Sequence, residues 1–155
     1  MKISSVLVVC VGNICRSPLG ERLLQSEIAQ RGGQVRVTSA GLHAMVGYPA
    51  DTETCLVAQK NGVSLEGHKA QQFSQALGRE HDLILVMEAA HKAEILRTAP
   101  ALSGKVFLFD QWSGAIGISD PYQRSREFHE AVFHMVRDGA RGWAAKLAVP
   151  DRSRG

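Results

Sequence analysis

Four short apolar segments alternate along the chain with longer segments that have helical spacing. The segments at residues 3–10, 35–39, 82–87 and 106–109 are rich in Val, Leu and Ile, and only the second is half-polar. Strands that are apolar on both faces are typical of a parallel sheet that is covered by helices on both sides. The pattern therefore predicts four strands that are buried within a parallel sheet.

The segments between the strands have apolar residues three and four positions apart. A first helix precedes Gly32 and Gly33, and further helices are predicted over residues 51–60 and 88–98. A long final helix has an apolar face that consists of Phe128, Val132, Val136, Ala140, Trp143 and Leu147. Strands that alternate with helices predict a doubly wound α/β fold, in which functional loops follow the carboxyl ends of the strands.

Composition and charge favour one ordinary globular domain. The 155 residues are 45% hydrophobic and 21% charged, and we expect a single domain over residues 1–150 with a flexible tail at 151–155. We expect no membrane span, because the longest apolar segment is far shorter than the ~18 residues that a span needs. We also expect no signal peptide, because Lys2 precedes only a short apolar segment and no small-residue cleavage site follows it. Three cysteines, an odd number, favour a reducing compartment and hence the cytoplasm. The net charge of +3 is too small to suggest a nucleic-acid partner.

The segment after the first strand carries the clearest chemical signal. It reads Cys10-Val11-Gly12-Asn13-Ile14-Cys15-Arg16-Ser17-Pro18 and leads into the first helix. Ser17 suits the N-cap of that helix and Pro18 suits its first position. Gly12 and Asn13 tolerate unusual dihedral angles, so successive N–H groups can face one anion. An arginine beside a helix N-terminus can hold a phosphate group through two hydrogen bonds.

This anion site would also make Cys10 a nucleophile. The helix end, the loop amides, Arg16 and the Ser17 hydroxyl all favour a thiolate over a thiol. Taken alone, a cysteine at the end of a Val-rich strand is usually a buried core residue. The combination of strand, cysteine, short loop, arginine, serine and helix favours attack on phosphorus and a phosphocysteine intermediate.

The same loop closely resembles the signature loop of the low-molecular-weight protein tyrosine phosphatases. The resemblance extends over nearly the whole chain, through Thr38-Ser39-Ala40-Gly41, Gly67-His68, residues 82–87 and Asp120-Pro121-Tyr122. The segment at residues 119–127 resembles the bacterial subgroup that is associated with tyrosine autokinases of capsule and exopolysaccharide export. The resemblance implies a four-stranded parallel sheet in the order 2-1-3-4. It also implies a phosphotyrosine protein as substrate, with an autokinase as the expected partner.

The resemblance implies a role for residues outside the loop. Asp120 is expected to protonate the tyrosyl oxygen and then to activate water, although an Asp-Pro pair before a helix is also a common N-cap. Tyr122 is expected to stack on the substrate ring, or alternatively to pack at the start of the last helix. Supporting residues and phosphate-binding residues complete the expected site: Val11, Gly12, Asn13, Ile14, Cys15, Ser17, Ser39 and His68.

Two departures from the family concern the ring slot. Many members carry a large aromatic residue in the loop after the second strand and another directly after the Asp-Pro-Tyr triplet. Here the first loop reads Leu42-His43-Ala44-Met45-Val46-Gly47-Tyr48, and Gln123 follows Tyr122. We therefore expect a slot that is more aliphatic or more open.

The three cysteines also raise a redox hypothesis. Cys10 and Cys15 are five positions apart in one tight loop, which allows the short Cα separation that a disulfide requires. Peroxide would convert Cys10 to a sulfenic acid that Cys15 captures. Cys55, in a predicted helix, is expected to be inert.

Two other functions deserve comparison. Arsenate reductases can use the same fold and loop but relay oxidation through two downstream cysteines, and only Cys55 follows Cys15. A non-catalytic phosphotyrosine-binding module would need neither Cys10 nor Asp120. We expect no metal ion and no organic cofactor. His129 and His134 lie ~140° apart on a helix, cannot share a metal ion on one face, and are expected to be half-exposed.

Overall fold

The computed structural model describes residues 2–148, so the predicted tail at residues 151–155 lies outside it. Its four strands form one sheet in the order β2-β1-β3-β4, and every neighbouring pair is parallel. The strands are β1 Ser5–Cys10, β2 Arg36–Gly41, β3 Leu83–Val86 and β4 Val106–Leu108. The predicted doubly wound α/β fold and the order 2-1-3-4 are confirmed.

Five α-helices and one 3₁₀ helix connect or follow these strands. The α-helices are α1 Arg16–Gln30, α2 Thr52–Lys60, α3 Gln75–Arg79, α4 Ala89–Thr98 and α5 Arg126–Leu147, and the 3₁₀ helix is Pro100–Lys105. The four predicted helices are all present. The α3 helix and the 3₁₀ helix were not predicted, because elements of five and six residues are too short to show a periodic apolar face.

The strand ends differ from the predicted ones, most clearly in β2. This strand continues to Gly41 rather than ending at Ser39, because its register pairs Gly41 with Cys10. A Cβ atom at Gly41 would lie only 2.4 Å from the carbonyl oxygen of Val11. The strand thus packs closely against the loop after β1, and this close backbone approach requires glycine.

The start of α1 also corrects the sequence prediction. The N-cap is Cys15 and the helix begins at Arg16, so Ser17 and Pro18 lie one and two positions inside it. The Ser17 hydroxyl contacts Cys10 and Asn13 and so does not cap the helix. Proline remains acceptable in the first turn, where N–H groups have no helical partner.

The hydrophobic core lies on both faces of the sheet. Val6 and Val8 pack with residues of α1 and α5 on one face, and Leu7 and Val9 pack with Ile95 of α4 on the other. Burial of such a side chain stabilises the folded state by about 1.5–3 kcal/mol relative to leaving the side chain exposed. This burial on two faces fixes the strands of the sheet in place.

The architecture brings four loops to one edge. In a parallel sheet the loops after β1, β2, β3 and β4 all leave from the carboxyl end, where α/β proteins place their ligands. None of the helices within residues 2–148 is long and apolar enough to cross a bilayer. The carboxyl edge of the sheet is thus where a functional site is expected.

Candidate active site

The loop between β1 and α1 holds the cysteine that the sequence singled out. Cys10 is the last residue of β1, and its side chain is only 3% exposed. Its Sγ lies 2.9 Å from the Oγ of Ser17. Ser17 belongs to the first turn of α1, whose backbone N–H groups lack helical acceptors. A negative charge on this sulfur would therefore be stabilised by a hydroxyl and by the positive end of a helix.

Asn13 ties this loop to its surroundings. Its φ of 58° lies in the left-handed region, which asparagine adopts more easily than most residues. Its Nδ2 donates to Ser17 Oγ at 2.7 Å and to Ser39 Oγ at 3.0 Å, and its Oδ1 accepts from the N–H of Gln71 at 2.9 Å. His68 donates from Nε2 to the Asn13 carbonyl at 2.6 Å. The structure thus brings the expected supporting residues into direct contact with the loop.

Gly12 differs from this expectation, because its φ is not positive. A Cβ atom at Gly12 would lie 3.7 Å from Ile14 and 3.9 Å from Met45, which is ordinary van der Waals contact. Glycine is therefore not needed here for an unusual dihedral angle. It leaves room between two apolar side chains that line the cavity described below.

Glu21 extends the network, and the sequence reasoning did not identify it. Its Oε1 accepts a hydrogen bond of 2.9 Å from Ser39 Oγ, which in turn accepts from Asn13. A chain of hydrogen bonds thus runs from α1 through β2 to the loop. A glutamate on a helix usually faces solvent, so only the contact with another strand reveals this role.

Arg16 is almost completely buried, with 1% exposed, and two acceptors fix its guanidinium. Nη1 donates to Glu88 Oε2 and to the Ile118 carbonyl, each at 2.7 Å. Nη2 lies 3.8 Å from Asp120 Oδ2. A buried arginine needs such partners, because an isolated charge in the interior is costly. Its orientation therefore depends on residues from the loops after β3 and β4.

Glu88 is the second functional candidate that the sequence reasoning missed. It follows Met87 directly after β3 and is the N-cap of α4, where it forms a capping box with His91. Burial lowers the pKa of His91, and the charge of Arg16 lowers it further. The neutral imidazole can then accept a hydrogen bond from the Glu88 N–H, 3.2 Å from Nδ1. Position at the carboxyl end of a strand was the signal that could have identified Glu88.

Asp120 stands at the rim of the site. Its side chain is 49% exposed, and its Oδ1 accepts a hydrogen bond of 3.0 Å from the N–H of Tyr122. This bond leaves the other carboxylate oxygen on the side of Arg16. The aspartate is thus held at its base but remains open to solvent and to a ligand.

These groups surround one cavity of about 200 Å³. Asp120 and Tyr122 line it together with residues of the β1–α1 loop. His43 and Met45 also line it, and both come from the loop at residues 42–48 that the sequence analysis associated with the ring slot. Tyr48, from the same loop as Met45, is exposed rather than in the cavity. The apolar part of the wall is thus mainly aliphatic, in agreement with the expectation for the ring slot. The lining residues are Cys10, Val11, Gly12, Ile14, Cys15, Arg16, His43, Met45, Asp120 and Tyr122.

The other two cysteines differ from Cys10 in their surroundings. Burial raises the pKa of the Cys15 thiol to about 12, and burial also raises the pKa of Cys55. Both are free thiols. A Cys10–Cys15 disulfide under peroxide stays a prediction, and it would require Cys15 to lose a tightly held proton.

The histidines of α5 correct one expectation. His134 is exposed, whereas His129 is buried, with 3% exposed, and its Nδ1 lies 3.4 Å from Thr54 Oγ1. The packing of α5 against α2 buries it, which the sequence of one helix does not show. Within residues 2–148, no three His, Cys, Asp or Glu side chains come together as a metal site would need.

The fold and the cavity together define a class. A doubly wound α/β protein with a cysteine, an arginine and an aspartate around one anion-sized cavity belongs among the cysteine-containing phosphatases. More narrowly, residues 5–152 match the model of the family described as low molecular weight phosphotyrosine protein phosphatase. The chain belongs to this family and is a low molecular weight protein-tyrosine phosphatase.

Individual relatives support this assignment. The chain is 47% identical over 144 residues to the low molecular weight protein-tyrosine-phosphatase Wzb of Escherichia coli K12, covering 93% of this chain and 95% of the relative. A crystal structure of the tyrosine phosphatase Wzb from Escherichia coli K30 in complex with sulphate superimposes with a TM-score of 0.89. Its identity is 43%, over 94% of this chain and 99% of that one.

A second solved structure contains an aromatic ligand. The structure of Vibrio vulnificus Wzb in complex with benzylphosphonate has a TM-score of 0.88 and 42% identity, covering 94% of this chain and 99% of that one. These relatives match the bacterial, exopolysaccharide-associated subgroup that residues 119–127 resemble.

Proposed function

We propose that the protein hydrolyses phosphotyrosine monoesters in two steps, with Cys10 as the nucleophile. The observation that carries this proposal is the placement of the Cys10 sulfur, 2.9 Å from the Ser17 hydroxyl, in a cavity that Arg16 and Asp120 also line. One small space thus holds a nucleophile, a cation for the phosphate oxygens and a carboxyl group for the leaving oxygen.

In the first step the Cys10 thiolate attacks phosphorus. A sulfur–phosphorus bond forms and the bond between phosphorus and the tyrosyl oxygen breaks. Arg16 and the N–H groups of residues 11–15 hold the equatorial oxygens, where negative charge spreads in the transition state. Asp120 gives its proton to the leaving phenolate oxygen and becomes a carboxylate.

In the second step water hydrolyses the phosphocysteine. The Asp120 carboxylate removes a proton from water, and the resulting oxygen attacks phosphorus as the bond to sulfur breaks. The released thiolate returns to its position beside the Ser17 hydroxyl. Phosphate leaves, and Asp120 is protonated again for the next cycle.

The cavity wall favours a flat aromatic leaving group. Tyr122 and Met45 line the cavity, and such side chains can pack on the two faces of a phenyl ring. Benzylphosphonate, which joins a phenyl ring to a phosphonate, binds the similar Vibrio vulnificus protein. We propose phosphotyrosine proteins as the substrate class, and a bacterial tyrosine autokinase as the partner on the strength of the subgroup resemblance.

The location that we propose is the cytoplasm. Cys10, Cys15 and Cys55 are all free thiols, which suits a reducing compartment. A thiolate nucleophile also survives longer where thiols stay reduced.

The test of the proposal is hydrolysis of para-nitrophenyl phosphate in the presence of a reductant. We expect wild type and Cys55→Ser to be active and Cys10→Ser to be inactive, because serine at this position is a far weaker nucleophile. Rapid quenching of wild type with substrate should give a phosphoenzyme that Cys10→Ser lacks. Activity in Cys10→Ser, or inactivity of wild type, would overturn the mechanism.

The same experiment separates the alternatives. A binding module would bind phosphotyrosine without turnover, and an arsenate reductase would turn over arsenate with thioredoxin. In α2, Cys55 is the only cysteine after Cys15, so the two-cysteine relay cannot be built. We expect no turnover of arsenate.

A further inference from the structure

A second cavity, of about 680 Å³, lies beside the first and shares Tyr122 with it. A ligand that fills the first cavity with a phosphotyrosine side chain would therefore bring neighbouring residues of its own chain to the second. Besides Tyr122, five ionisable side chains line this second cavity: Asp51, Glu53, Arg124, Arg126 and His129.

Most of these charges already have a partner within the protein. Arg126 forms two hydrogen bonds to Glu53, at 2.5 and 3.4 Å, and the bond from Arg126 lowers the pKa of Glu53. The Asp51 carboxylate caps α2 through the N–H and hydroxyl of Thr54. Each of these groups is held by a neighbour and has reduced capacity for a ligand.

Arg124 is different. It is exposed and forms no ion pair with any residue in the range 2–148. Its guanidinium lies 4.4 Å from the centre of the Phe128 ring, a contact that orients the group without neutralising its charge. Arg124 thus presents an oriented positive charge to the cavity beside the catalytic cleft. The N–H groups of its guanidinium remain available to a ligand.

His129 provides a second unsatisfied group in the same cavity. It is buried, and its Nε2 has no hydrogen-bond partner among the described residues. When the Thr54 hydroxyl donates to His129 Nδ1, 3.4 Å away, Nε2 carries the ring proton and can donate to an anion. A buried polar atom without a partner is uncommon in a folded protein.

The opposite rim of the cleft lacks this feature. His43 lines the catalytic cavity there, but its Nε2 lies 3.3 Å from Glu94 Oε1. A cationic imidazole at this position would already face a carboxylate. His43 therefore has a carboxylate beside it, whereas Arg124 has no ion-pair partner within residues 2–148.

We propose that the cavity around Arg124 is a substrate subsite that binds an anionic side chain next to the phosphotyrosine. This inference rests on the proposed phosphatase function and extends it to sequence preference. The anion is a carboxylate of Asp or Glu or the phosphate of a second phosphotyrosine, since a guanidinium binds both. Such an exposed pair would change kcat/KM by about threefold to fivefold, because rim ion pairs are weak.

The experiment compares phosphotyrosine peptides that differ at one flanking position at a time. Each position carries Glu, phosphotyrosine, Gln or Lys in turn, and the measured quantity is kcat/KM relative to the Gln peptide. The enzymes are wild type, Arg124→Gln, Arg124→Glu and the control Arg79→Gln. Arg79 is exposed at the end of α3, before β3 and thus at the other end of the sheet.

Wild type and Arg79→Gln should prefer an anionic residue at one flanking position. Comparison of the Glu peptide with the phosphotyrosine peptide shows whether a carboxylate or a phosphate is the preferred anion. Arg124→Gln should lose this preference and Arg124→Glu should favour Lys instead, with all preferences weaker at high salt. An unchanged preference in Arg124→Gln, or no anionic preference in wild type, overturns the subsite. Absence of turnover of every peptide by wild type would instead overturn the proposed function.

Discussion

The loop that we propose to bind the phosphate and the loop that carries Asp120 line the same cavity, yet they are built differently. In the first loop Cys10, Asn13, Arg16 and Ser17 are all at most 3% exposed. Each is held by hydrogen bonds to side chains or carbonyl groups inside the protein. These side chains are thus held in place by partners inside the protein, whereas Arg16 Nε has no hydrogen-bond partner within residues 2–148.

The second loop, residues 110–125, is mostly exposed. Trp112 and Ile116 are 51% and 84% exposed, and Ala115 and Gln123 have positive φ values. Asp110 holds one part of the loop by accepting from the N–H groups of residues 116 and 117, each at 3.0 Å. The loop is fixed by backbone contacts at a few points rather than by a buried network.

The difference fits the chemistry that we propose for each loop. Groups that stabilise transition-state charge work best when they are already oriented and shielded from water. A group that exchanges protons with a leaving group and with water must remain accessible. Substitutions in the first loop should therefore reduce both stability and activity, whereas Asp120 should affect activity alone.

Replacement of Arg16 by Lys should have the largest effect. A lysine cannot bind Glu88, the Ile118 carbonyl and phosphate oxygens in one plane, so we expect kcat/KM to fall by about 10⁴-fold. The Tm should fall as well, because a buried cation would lose acceptors. Kinetics and thermal unfolding of the same preparation check both effects, and a lysine variant with near wild-type values would contradict this account of the loop.

Replacement of Asp120 by Asn should reduce kcat on phenyl phosphate by about 10²–10³-fold. The loss on para-nitrophenyl phosphate should be smaller, because that leaving group departs with less need for a proton. The Tm should stay close to that of wild type, since the side chain is 49% exposed. Equal losses on the two substrates would argue that Asp120 is not the acid.

Replacement of Glu88 by Gln tests whether Arg16 is positioned from outside its own loop. The amide keeps the shape but not the charge, and a small shift of the guanidinium should lower kcat by about tenfold or somewhat more. Glu80→Gln, on an exposed residue before β3, is the matched control. If the kcat of Glu88→Gln equals that of Glu80→Gln, the ion pair does not position Arg16.

Replacement of His91 by Gln should have the smallest effect, which is a change in stability that is seen only at acidic pH. Burial lowers the pKa of folded His91 below its ordinary value of 6.5, so the unfolded chain binds the proton first as pH falls. Stability is therefore lost below about pH 6.5. Tm measured against pH should fall less steeply in His91→Gln than in wild type or in His134→Gln. An unchanged slope would contradict this assignment.

The sequence predicted best those features that lie within a short stretch of chain. Cys10, Arg16 and Ser17 are close together along the chain, so their spacing and the helix that follows predicted an anion site. Asp120 and Tyr122 were identified by resemblance, since an Asp-Pro pair alone is equally typical of a helix cap. The predicted end of β2 was wrong, because the strand ends in a Ser-Ala-Gly segment and such residues show no apolar pattern.

Amino-acid order alone determined the fold class, the anion loop and the family, because apolar periodicity and short motifs are local properties of the chain. Only the tertiary structure joined Glu88 to Arg16, 72 positions apart, Glu21 to Ser39, and His129 to Thr54. It also left Arg124 without a carboxylate partner within residues 2–148. Such pairs depend on how parallel strands and their helices pack side by side. That packing cannot be predicted from any single segment of the chain.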